Sequence, residues 1–267
     1  MIKAIVTGAA GRMGKSIIGN IADTENIDLS GATENNGSGS IGRDAGEVAG
    51  TGKNGVTISG SIQEVIGDGD VIIDFTAPEA TMQHVEAAVR SKKGIVIGTT
   101  GLSDAQVSTI KNASKEIKIV FAPNMSVGVN VMWKMLGEMA KILGDDFDVE
   151  VIEAHHRLKK DAPSGTANRI LEILCDSLGR DLKKDPIYER KGIIGERGKK
   201  EIGMQTIRAG DIVGDHTVIF GGQGERLELT HKASNRDNFA KGAVRAAIWL
   251  EDKGPGLFDM QDVLGLN

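Results

Sequence analysis

The sequence predicts an α/β protein in which a parallel sheet covered by helices is followed by a second, α+β domain with a mixed sheet. In the first half, short β-branched runs alternate with amphipathic stretches, a pattern typical of a parallel sheet with helices on its faces. In the second half, longer strand-like runs follow one another across turns, which favours antiparallel pairing. The glycine content supports both predictions. Glycine makes up 36 of 267 residues, or about 13%, whereas ~7% is usual, and this excess indicates many tight turns.

The first half predicts six strands and three helices in alternation. The strands are predicted at Ile2–Thr7, Ile27–Thr33, Val56–Ser59, Val71–Phe75, Gly94–Gly98 and Ile117–Phe121. Apolar residues recur at helical spacing between them, which predicts helices at Arg12–Asp23, Pro78–Ser91 and Ser103–Lys115. The segment Gly37–Gly55 is rich in glycine, serine and aspartate and predicts an exposed loop.

After about residue 128 the pattern becomes that of a second domain. Helices are predicted at Val129–Leu143, Gly165–Leu178 and Asp237–Leu250, and strands at Phe147–Ala154, Ile202–Arg208, His216–Phe220 and Leu227–His231. The turn Gly221–Gly224 joins the last two strands. We therefore expect a first domain at residues 1–128, a second at 129–236, and a C-terminal helical segment at about 237–267.

Composition and charge exclude several classes of function. The 32 Lys+Arg against 37 Asp+Glu give a net charge of -5, without the basic excess that binding to a phosphate backbone needs. The single cysteine, Cys175, cannot form an internal disulfide or a thiolate metal cluster. No run approaches the ~20 apolar residues of a membrane span, and the N-terminus enters a strand without a cleavable leader. We expect a soluble, cytoplasmic protein with neither nucleic acid nor membrane as partner.

A glycine-rich turn follows the first predicted strand. The stretch Gly8–Gly14 reads GAAGRMG and opens a helix, which is where backbone N–H groups and the positive helix end can hold a pyrophosphate. Glu34 lies 20 residues further on, at the end of the second strand, where a carboxylate binds the ribose diol of a dinucleotide. This favours a Rossmann-type domain. The alternative is that the same residues form an ordinary glycine turn and a solvated glutamate.

The residues after Glu34 bear on the choice of cofactor. The carboxylate would repel a 2′-phosphate, and Asn35 and Asn36 supply no cation. We therefore expect NADH to be used at least as well as NADPH. Two further loops, Asp74–Pro78 and Gly98–Gly101, leave carboxyl ends of strands, where open α/β sheets bind ligands. Simple turn chemistry would also account for them.

Titratable and polar side chains are most concentrated at residues 153–167, whose sequence is EAHHRLKKDAPSGTA. His155 and His156 should point in different directions on a strand, and Lys159 is close enough along the loop to converge with His155. Gly165 and Thr166 open the next helix and offer N–H groups to a carboxylate. Adjacent histidines diverge and no zinc-type spacing is present, which argues against a metal site. A basic surface loop before a capped helix is the plain alternative, and His84, on an apparent surface helix, and His216 are expected to be structural.

These motifs closely resemble those of the dihydrodipicolinate reductase family, or 4-hydroxy-tetrahydrodipicolinate reductases, of diaminopimelate and lysine biosynthesis. The resemblance covers nearly the whole chain and rests on residues 8–14, 98–101, 124–130 and above all 153–167. The last string is long and specific, whereas the glycine turn is not.

The resemblance implies a reductase that passes hydride from NADH or NADPH to a cyclic, unsaturated dicarboxylate. It implies that His155 is the general acid/base and Lys159 the proton donor, and that His156, Gly165 and Thr166 contact the substrate carboxylates. The implied cofactor contacts are Gly8, Ala9, Ala10, Gly11, Arg12, Met13, Glu34, Gly98, Thr99, Thr100, Ala122, Pro123, Asn124 and Met125. It further implies a homotetramer joined through the second domain, with the C-terminal helix packed on the nucleotide domain.

Ala10 departs from the family's pattern at a place where relatives often have a third loop glycine, and Asn35 and Ala77 stand where members that use NADPH can carry arginine. We expect the two domains to close around the ligands, with Ser126–Gly128 and Ala233–Asn235 as hinges. Two other readings remain open from the residues alone: a dehydrogenase of an amino acid or its semialdehyde, and a dinucleotide-sensing regulatory protein.

Overall fold

The computed structural model describes residues 1–266 and divides into two compact units. The first unit consists of Met1–Val127 together with Arg236–Asn267, and the second of Gly128–Asn235. The first unit is therefore built from two stretches that are far apart in the chain. Within residues 1–266, no helix combines the length and apolar character that crossing a membrane requires.

The first unit is a seven-stranded parallel sheet with helices against it. Numbered along the whole chain, its strands are β1 Ile2–Thr7, β2 Ile27–Thr33, β3 Ile58–Ser59, β4 Val71–Asp74, β5 Gly94–Ile97, β6 Lys118–Phe121 and β12 Gly256–Phe258. Its helices are α1 Arg12–Ala22, α2 Ala45–Ala49, α3 Ile62–Val65, α4 Pro78–Ser91, α5 Asp104–Ala113, α8 Asp237–Trp249 and α9 Met260–Leu264. The strand order is β12-β6-β5-β4-β1-β2-β3, and every neighbouring pair is parallel.

The apolar content of the central strands explains this architecture. All residues of β4 and β5 are buried, as expected where helices cover both faces of a parallel sheet. The strand order reverses between β1 and β4, and open α/β sheets bind ligands in the crevice at the carboxyl ends of such strands. The predicted Rossmann-type sheet is confirmed, and its crevice places the glycine turn after β1 next to the loop after β4.

The predicted loop Gly37–Gly55 is wrong in part, because α2 forms inside it. The Asp44 carboxylate caps this helix by accepting the N–H of Glu47, 3.1 Å away, and it also accepts the N–H of Gly55, 2.7 Å away. A helix of five residues is too short to show a hydrophobic period, so composition alone favoured a loop. Sequence analysis also missed the short elements α3, α9 and β12 and the two-residue strand Pro186–Ile187 of the second unit.

The C-terminal segment is more than one helix. After α8 the chain forms β12, which pairs with β6 at the sheet edge, and then α9; Asn267, the end of the expected segment, lies outside the described residues. Gly242 shows how closely α8 packs within the first unit, since a Cβ there would lie 1.8 Å from the carbonyl oxygen of Met125. The Ser16 hydroxyl also donates to Asp237 Oδ1 over 2.6 Å, which ties α8 to α1.

The second unit is a mixed sheet with helices on one face, as predicted. Its strands are β7 Asp148–His155, β8 Pro186–Ile187, β9 Ile202–Arg208, β10 Gly214–Gly221 and β11 Arg226–Ala233, in the order β11-β10-β7-β9-β8. Its helices are α6 Val127–Leu143 and α7 Gly165–Leu178. Strand β10 is antiparallel to β7 and β11, whereas β7, β9 and β8 run parallel.

The two faces of this sheet differ in burial. Leu136, Leu171 and Phe220 belong to the buried core that α6 and α7 form with one face. Ile207 of β9 lies on the opposite face and is 46% exposed, whereas Leu227 of β11 lies on the same face as its pairing partner Phe220 but at the sheet edge, and is 44% exposed. Strand β11 lies at an edge of the sheet and has no fully buried residue. The sheet therefore keeps an apolar surface that this chain does not cover.

Candidate active site

The glycine turn has the backbone geometry that close approach by a phosphate needs. Gly8 has φ +63°, and a Cβ on Gly14 would lie 2.1 Å from the Gly8 carbonyl oxygen. Only glycine therefore lets α1 begin so near the strand. Gly11 is the N-cap of α1 and makes no side-chain capping bond, so the first turn presents backbone N–H groups at a positive helix end.

Glu34 lies beside this turn, at the end of β2. Its Oε2 accepts the N–H of Ala10 over 2.9 Å, and its Oε1 accepts the N–H and the Nδ2 of Asn35 over 3.0 Å. A carboxylate has about four lone-pair positions, so these three bonds leave Glu34 about one position for a ligand hydroxyl. The residue lines a cleft of about 660 Å³, whose walls include Gly8, Gly11 and Asn36.

A second cleft of the first unit, about 260 Å³ in volume, collects most of the remaining predicted cofactor residues. It is lined by Arg12, Met13, Phe75, Gly98, Ala122, Pro123, Asn124, Met125, Arg236 and Phe239. Phe75 also lines the first cleft. Sequence analysis missed Arg236 and Phe239, because they come from the C-terminal stretch and no local motif marks them.

Unlike Gly98, Thr99 does not line this cleft. Its side chain is buried, and its Oγ1 accepts the N–H of Thr76 over 3.0 Å and the hydroxyl of Thr81 over 2.8 Å. Thr100 is exposed. Gly98 is required by packing, since a Cβ there would lie 2.2 Å from the Phe75 ring. Thr99 thus joins the loops after β4 and β5, and only Gly98 of this trio lines the cleft.

Asp74, the last residue of β4, is buried where the loops after β4 and β5 meet. It accepts the hydroxyls of Thr7 over 2.9 Å and of Thr76 over 2.6 Å. His84 Nδ1 lies 3.4 Å from its Oδ2. Burial acts to raise the pKa of Asp74, but His84 and the threonine hydroxyls outweigh it and lower the pKa below its ordinary value. The His84 side chain is 13% exposed and faces this buried carboxylate, an arrangement compatible with the structural role predicted for it.

In the second unit, the strand β7 carries His155 as its last residue, with Glu153 two residues earlier on the same face. His155 Nδ1 lies 2.5 Å from Glu153 Oε2. Arg208 donates to both carboxylate oxygens of Glu153, over 2.8 Å each. Burial acts to raise the pKa of Glu153, but the bonds from His155 and Arg208 lower it to about 2.

The residues after β7 form the loop that leads to α7. His156 lies beyond the end of the strand and is half-buried, whereas the His155 side chain is 11% exposed, so the two imidazoles differ in surroundings as expected. Lys159 Nζ lies 2.9 Å from Asp161 Oδ2, and this contact lowers the pKa of Asp161. Arg157 and Lys160 are exposed.

The start of α7 is attached to the same cluster. Ser164 is the N-cap, and its Oγ accepts the N–H of Ala167 over 3.3 Å and lies 3.1 Å from His216 Nε2. Its N–H donates to Glu153 Oε1 over 3.2 Å. Gly165 and Thr166 are the first two residues of the helix. Their N–H groups therefore lie at the positive end of a helix that is anchored beside His155.

His216 is a neutral partner in this cluster rather than an isolated structural residue. Its ring meets that of His155 edge to face, with centroids 5.2 Å apart. Burial lowers the pKa of His216 to about 4, and the charges of His155 and Lys159 act in the same direction. Among residues 1–266, no group of three or more histidine, cysteine or acidic side chains is arranged to hold a metal ion.

Together, the parallel sheet with its glycine turn and Glu34, and the imidazole and ammonium groups of the second unit, define a two-domain oxidoreductase that uses a nicotinamide dinucleotide. The chain belongs to the dihydrodipicolinate reductase family. Residues 2–125 match the model of the N-terminal part of dihydrodipicolinate reductase, and residues 128–264 match that of its C-terminus.

Full-length relatives agree. A 4-hydroxy-tetrahydrodipicolinate reductase of Syntrophus aciditrophicus is 55% identical over 265 residues, which are 99% of each chain. That of Hahella chejuensis is 54% identical over 266 residues, which are 100% of each chain. Membership of this reductase family excludes the reading as a sensor without turnover and establishes an oxidoreductase.

Solved structures show the same fold at low identity. A dipicolinate-bound dihydrodipicolinate reductase from Paenisporosarcina sp. TG-14 superposes with a TM-score of 0.76 at 23% identity, over 98% of each chain. An amine dehydrogenase from Mycobacterium smegmatis gives a TM-score of 0.60 at 14% identity, over 96% of this chain and 94% of that one. The architecture is thus shared with dehydrogenases of other substrates, whereas the family assignment rests on sequence.

Proposed function

We propose that this chain performs the reaction of its family, the NAD(P)H-dependent reduction of 4-hydroxy-tetrahydrodipicolinate, by way of dihydrodipicolinate, to tetrahydrodipicolinate in diaminopimelate and lysine biosynthesis. One observation carries the assignment to particular residues. The start of α7 is anchored to Glu153 by the Ser164 N–H, and Glu153 also holds His155. The proposed acid, His155, and the N-terminus of α7, which can bind a carboxylate, are thereby held in one cluster.

The residues of the first unit fit a dinucleotide. The close approach of Gly14 to Gly8 lets α1 begin directly against the turn, so that its N-terminal N–H groups can bind the pyrophosphate, and Glu34 would bind the adenosine ribose. The proposed contacts are Gly8, Ala9, Ala10, Gly11, Arg12, Met13, Glu34, Gly98, Thr99, Thr100, Ala122, Pro123, Asn124 and Met125. When bound, NAD(P)H supplies the hydride; Thr99 acts by holding the Thr76 loop.

We further propose that NADH serves at least as well as NADPH. The described residues that line the cleft beside Glu34 include no lysine or arginine, and a 2′-phosphate next to a carboxylate needs such a cation. Asn35 in particular offers an amide and no charge. A substantially higher kcat/KM with NADPH than with NADH would overturn this preference.

The residues of the second unit would handle the substrate. His156 and the N–H groups of Gly165 and Thr166 bind its carboxylates, since a helix N-terminus favours an anion. Hydride addition to a conjugated imine leaves a site that must be protonated. His155 acts as general acid/base at its Nε2, and Lys159 donates a proton from Nζ.

Replacing His155 or Lys159 by alanine tests the assignment. Each change is expected to lower kcat by about 10² or more, because positioned proton transfer contributes that much, while the affinity for NADH stays nearly unchanged. Oxidation of NADH that depends on the pathway intermediate is the assay. Lys200→Ala, which removes an exposed lysine of the same unit, is the control and should leave kcat unchanged. A loss of NADH affinity with kcat intact would contradict the assigned roles.

We also propose a homotetramer assembled through the second unit and a cytoplasmic location. The uncovered apolar residues of the mixed sheet, such as Ile207 and Leu227, support the assembly. The single cysteine, Cys175, is buried and free, as suits a reducing compartment.

A further inference from the structure

We propose that Glu153 is a positioning residue of the reaction: its carboxylate holds the proton of His155 on Nδ1 and thereby directs Nε2 to the substrate. The inference rests on the proposed role of His155. It adds a residue whose task is to fix the tautomer and the ring orientation of the acid, without touching the substrate itself.

The contact between the two side chains is short and protected from water. Glu153 Oε2 and His155 Nδ1 are 2.5 Å apart, and the Glu153 side chain has no exposed surface. The two residues stand at positions i and i+2 of β7, so the strand itself places both side chains on one face. The pairing is therefore built into the backbone and does not depend on a flexible loop.

The charge state of Glu153 decides which nitrogen of His155 carries the proton. Arg208 binds the carboxylate through both of its terminal nitrogens, and the pKa of Glu153 is lowered to about 2. An ionised carboxylate can only accept hydrogen bonds. His155 Nδ1 must therefore be the donor, which leaves Nε2 as the nitrogen that takes up and releases a proton.

Space beside Nε2 is preserved by a glycine. A Cβ at Gly214 would lie 3.1 Å from His155 Nε2, so any larger residue would crowd the reactive atom.

The titratable and charged groups that surround the Glu153–His155 pair are Arg208 on β9, His216 on β10, and Lys159 and Asp161 on the loop; His231, on β11, pairs with His216 in register. Burial holds the pKa of His216 at about 4, so at neutral pH it adds no positive charge next to His155.

The same strand supplies a matched control. Glu150 also lies on β7 and is bound through both oxygens by Arg190, over 2.7 and 2.8 Å, and Arg197 Nε donates to its Oε1 over 3.2 Å. Its ion-pair partners Arg190 and Arg197 are both arginines, so its contacts differ from those of Glu153, which binds a histidine. Glu150→Gln thus removes a carboxylate–arginine pair of the same sheet without altering an imidazole contact.

The test compares Glu153→Gln with Glu150→Gln in the full-length enzyme, by kcat, KM for NADH and the pH dependence of kcat. A glutamine at 153 can donate to Nδ1 and so favours the opposite tautomer; in a serine protease, the corresponding loss of an orienting carboxylate lowers kcat by about 10⁴. We expect a loss of about 10² or more for Glu153→Gln and an altered pH profile, with KM for NADH retained. Glu150→Gln should keep the wild-type profile.

A second measurement needs no variant. The ¹⁵N shifts of the His155 ring in the wild-type protein report its neutral tautomer, and Nδ1–H is expected. An Nε2–H tautomer, or a Glu153→Gln enzyme with wild-type kcat and pH profile, would overturn the inference while leaving the reaction intact. If His155→Ala kept full activity, the proposed role of His155 would fail first, and the inference with it.

Discussion

His216 illustrates how one buried side chain links stability to pH. It is 4% exposed, and its Nε2 lies 3.1 Å from the Ser164 hydroxyl that caps α7. Because burial lowers its pKa from 6.5 to about 4, the folded protein binds a proton less readily than the unfolded chain does. The neutral imidazole therefore does not reduce the stability of the fold at neutral pH, but its protonation in acid favours the unfolded state.

We predict that His216→Gln flattens the pH dependence of stability. In the wild type, the unfolded state takes up a proton below pH 6.5 that the folded state refuses until about pH 4, so stability is lost as the pH falls through this window. The loss amounts to about 3 kcal/mol in full. The free energy of unfolding, measured with urea at pH 7 and at pH 5, gives the size of this loss. Glu153 contributes little between these pH values, because its pKa is shifted from 4.5 to about 2. An unchanged slope in the variant would contradict the assignment.

At the scale of elements, the loops after β4 and β5 are held together by buried polar contacts. Asp74 binds the Thr76 hydroxyl, the Thr76 N–H donates to Thr99, and Thr81 on α4 donates to Thr99 as well. Hydrogen bonds in such a buried network are stronger than in water, and the loss of one is correspondingly costly. Both loops lead into the proposed cofactor clefts, so their spacing bears on cofactor binding.

We predict that Asp74→Asn weakens this arrangement. Both hydroxyls donate to Oδ1, which an amide retains, but Asp74→Asn places an NH2 group in place of Oδ2, 3.4 Å from His84 Nδ1, and removes the negative charge that faces the imidazole. A buried polar group without a suitable partner costs about 1–3 kcal/mol. The KM for NADH should rise several-fold, with a smaller change in kcat at saturating NADH. The control is Asp70→Asn, just before the other end of β4, where an exposed carboxylate accepts only the N–H of Lys3 at 2.9 Å. Equal KM values in the two variants would argue against a role of the loops.

At the scale of the whole molecule, the second unit exposes apolar surface that a monomer would leave in water. Ile207 on β9 and Leu227 on the edge strand β11 are both about half exposed. Ile193, in the segment after β8, is fully exposed. Edge strands and apolar sheet faces of this kind invite pairing with another chain, which is consistent with the proposed tetramer.

We predict that sedimentation equilibrium gives a mass of four chains for the wild type and a smaller mass for Leu227→Lys. A charge on this edge strand would have to be buried if the assembly covers β11, which is costly without a partner. Lys3→Glu, on the first unit, reverses a surface charge and should leave the assembly unchanged. A wild-type monomer at micromolar concentration would refute the assembly.

Much of the fold was accessible from the sequence because the signals that define it are local. The runs that became β1 and β2 and the periodic stretch that became α4 ended where they were predicted. Backbone constraints also act over a few residues, which is why the turn at Gly8–Gly14 could be interpreted without coordinates. Short elements such as α2 and β12 escaped, since a period cannot be read from three to five residues.

By itself, the sequence determined the parallel sheet, the turn that would hold a dinucleotide, Glu34 at the end of β2, and the cluster at residues 153–167. Only the tertiary structure decided that Arg208 holds Glu153, that His84 faces Asp74, and that Arg236 and Phe239 line a cofactor cleft. The physical reason is distance along the chain. Arg208 meets β7 because β9 pairs with it in a register that sets Arg208 opposite His155, and such a register follows from the packing of the whole sheet.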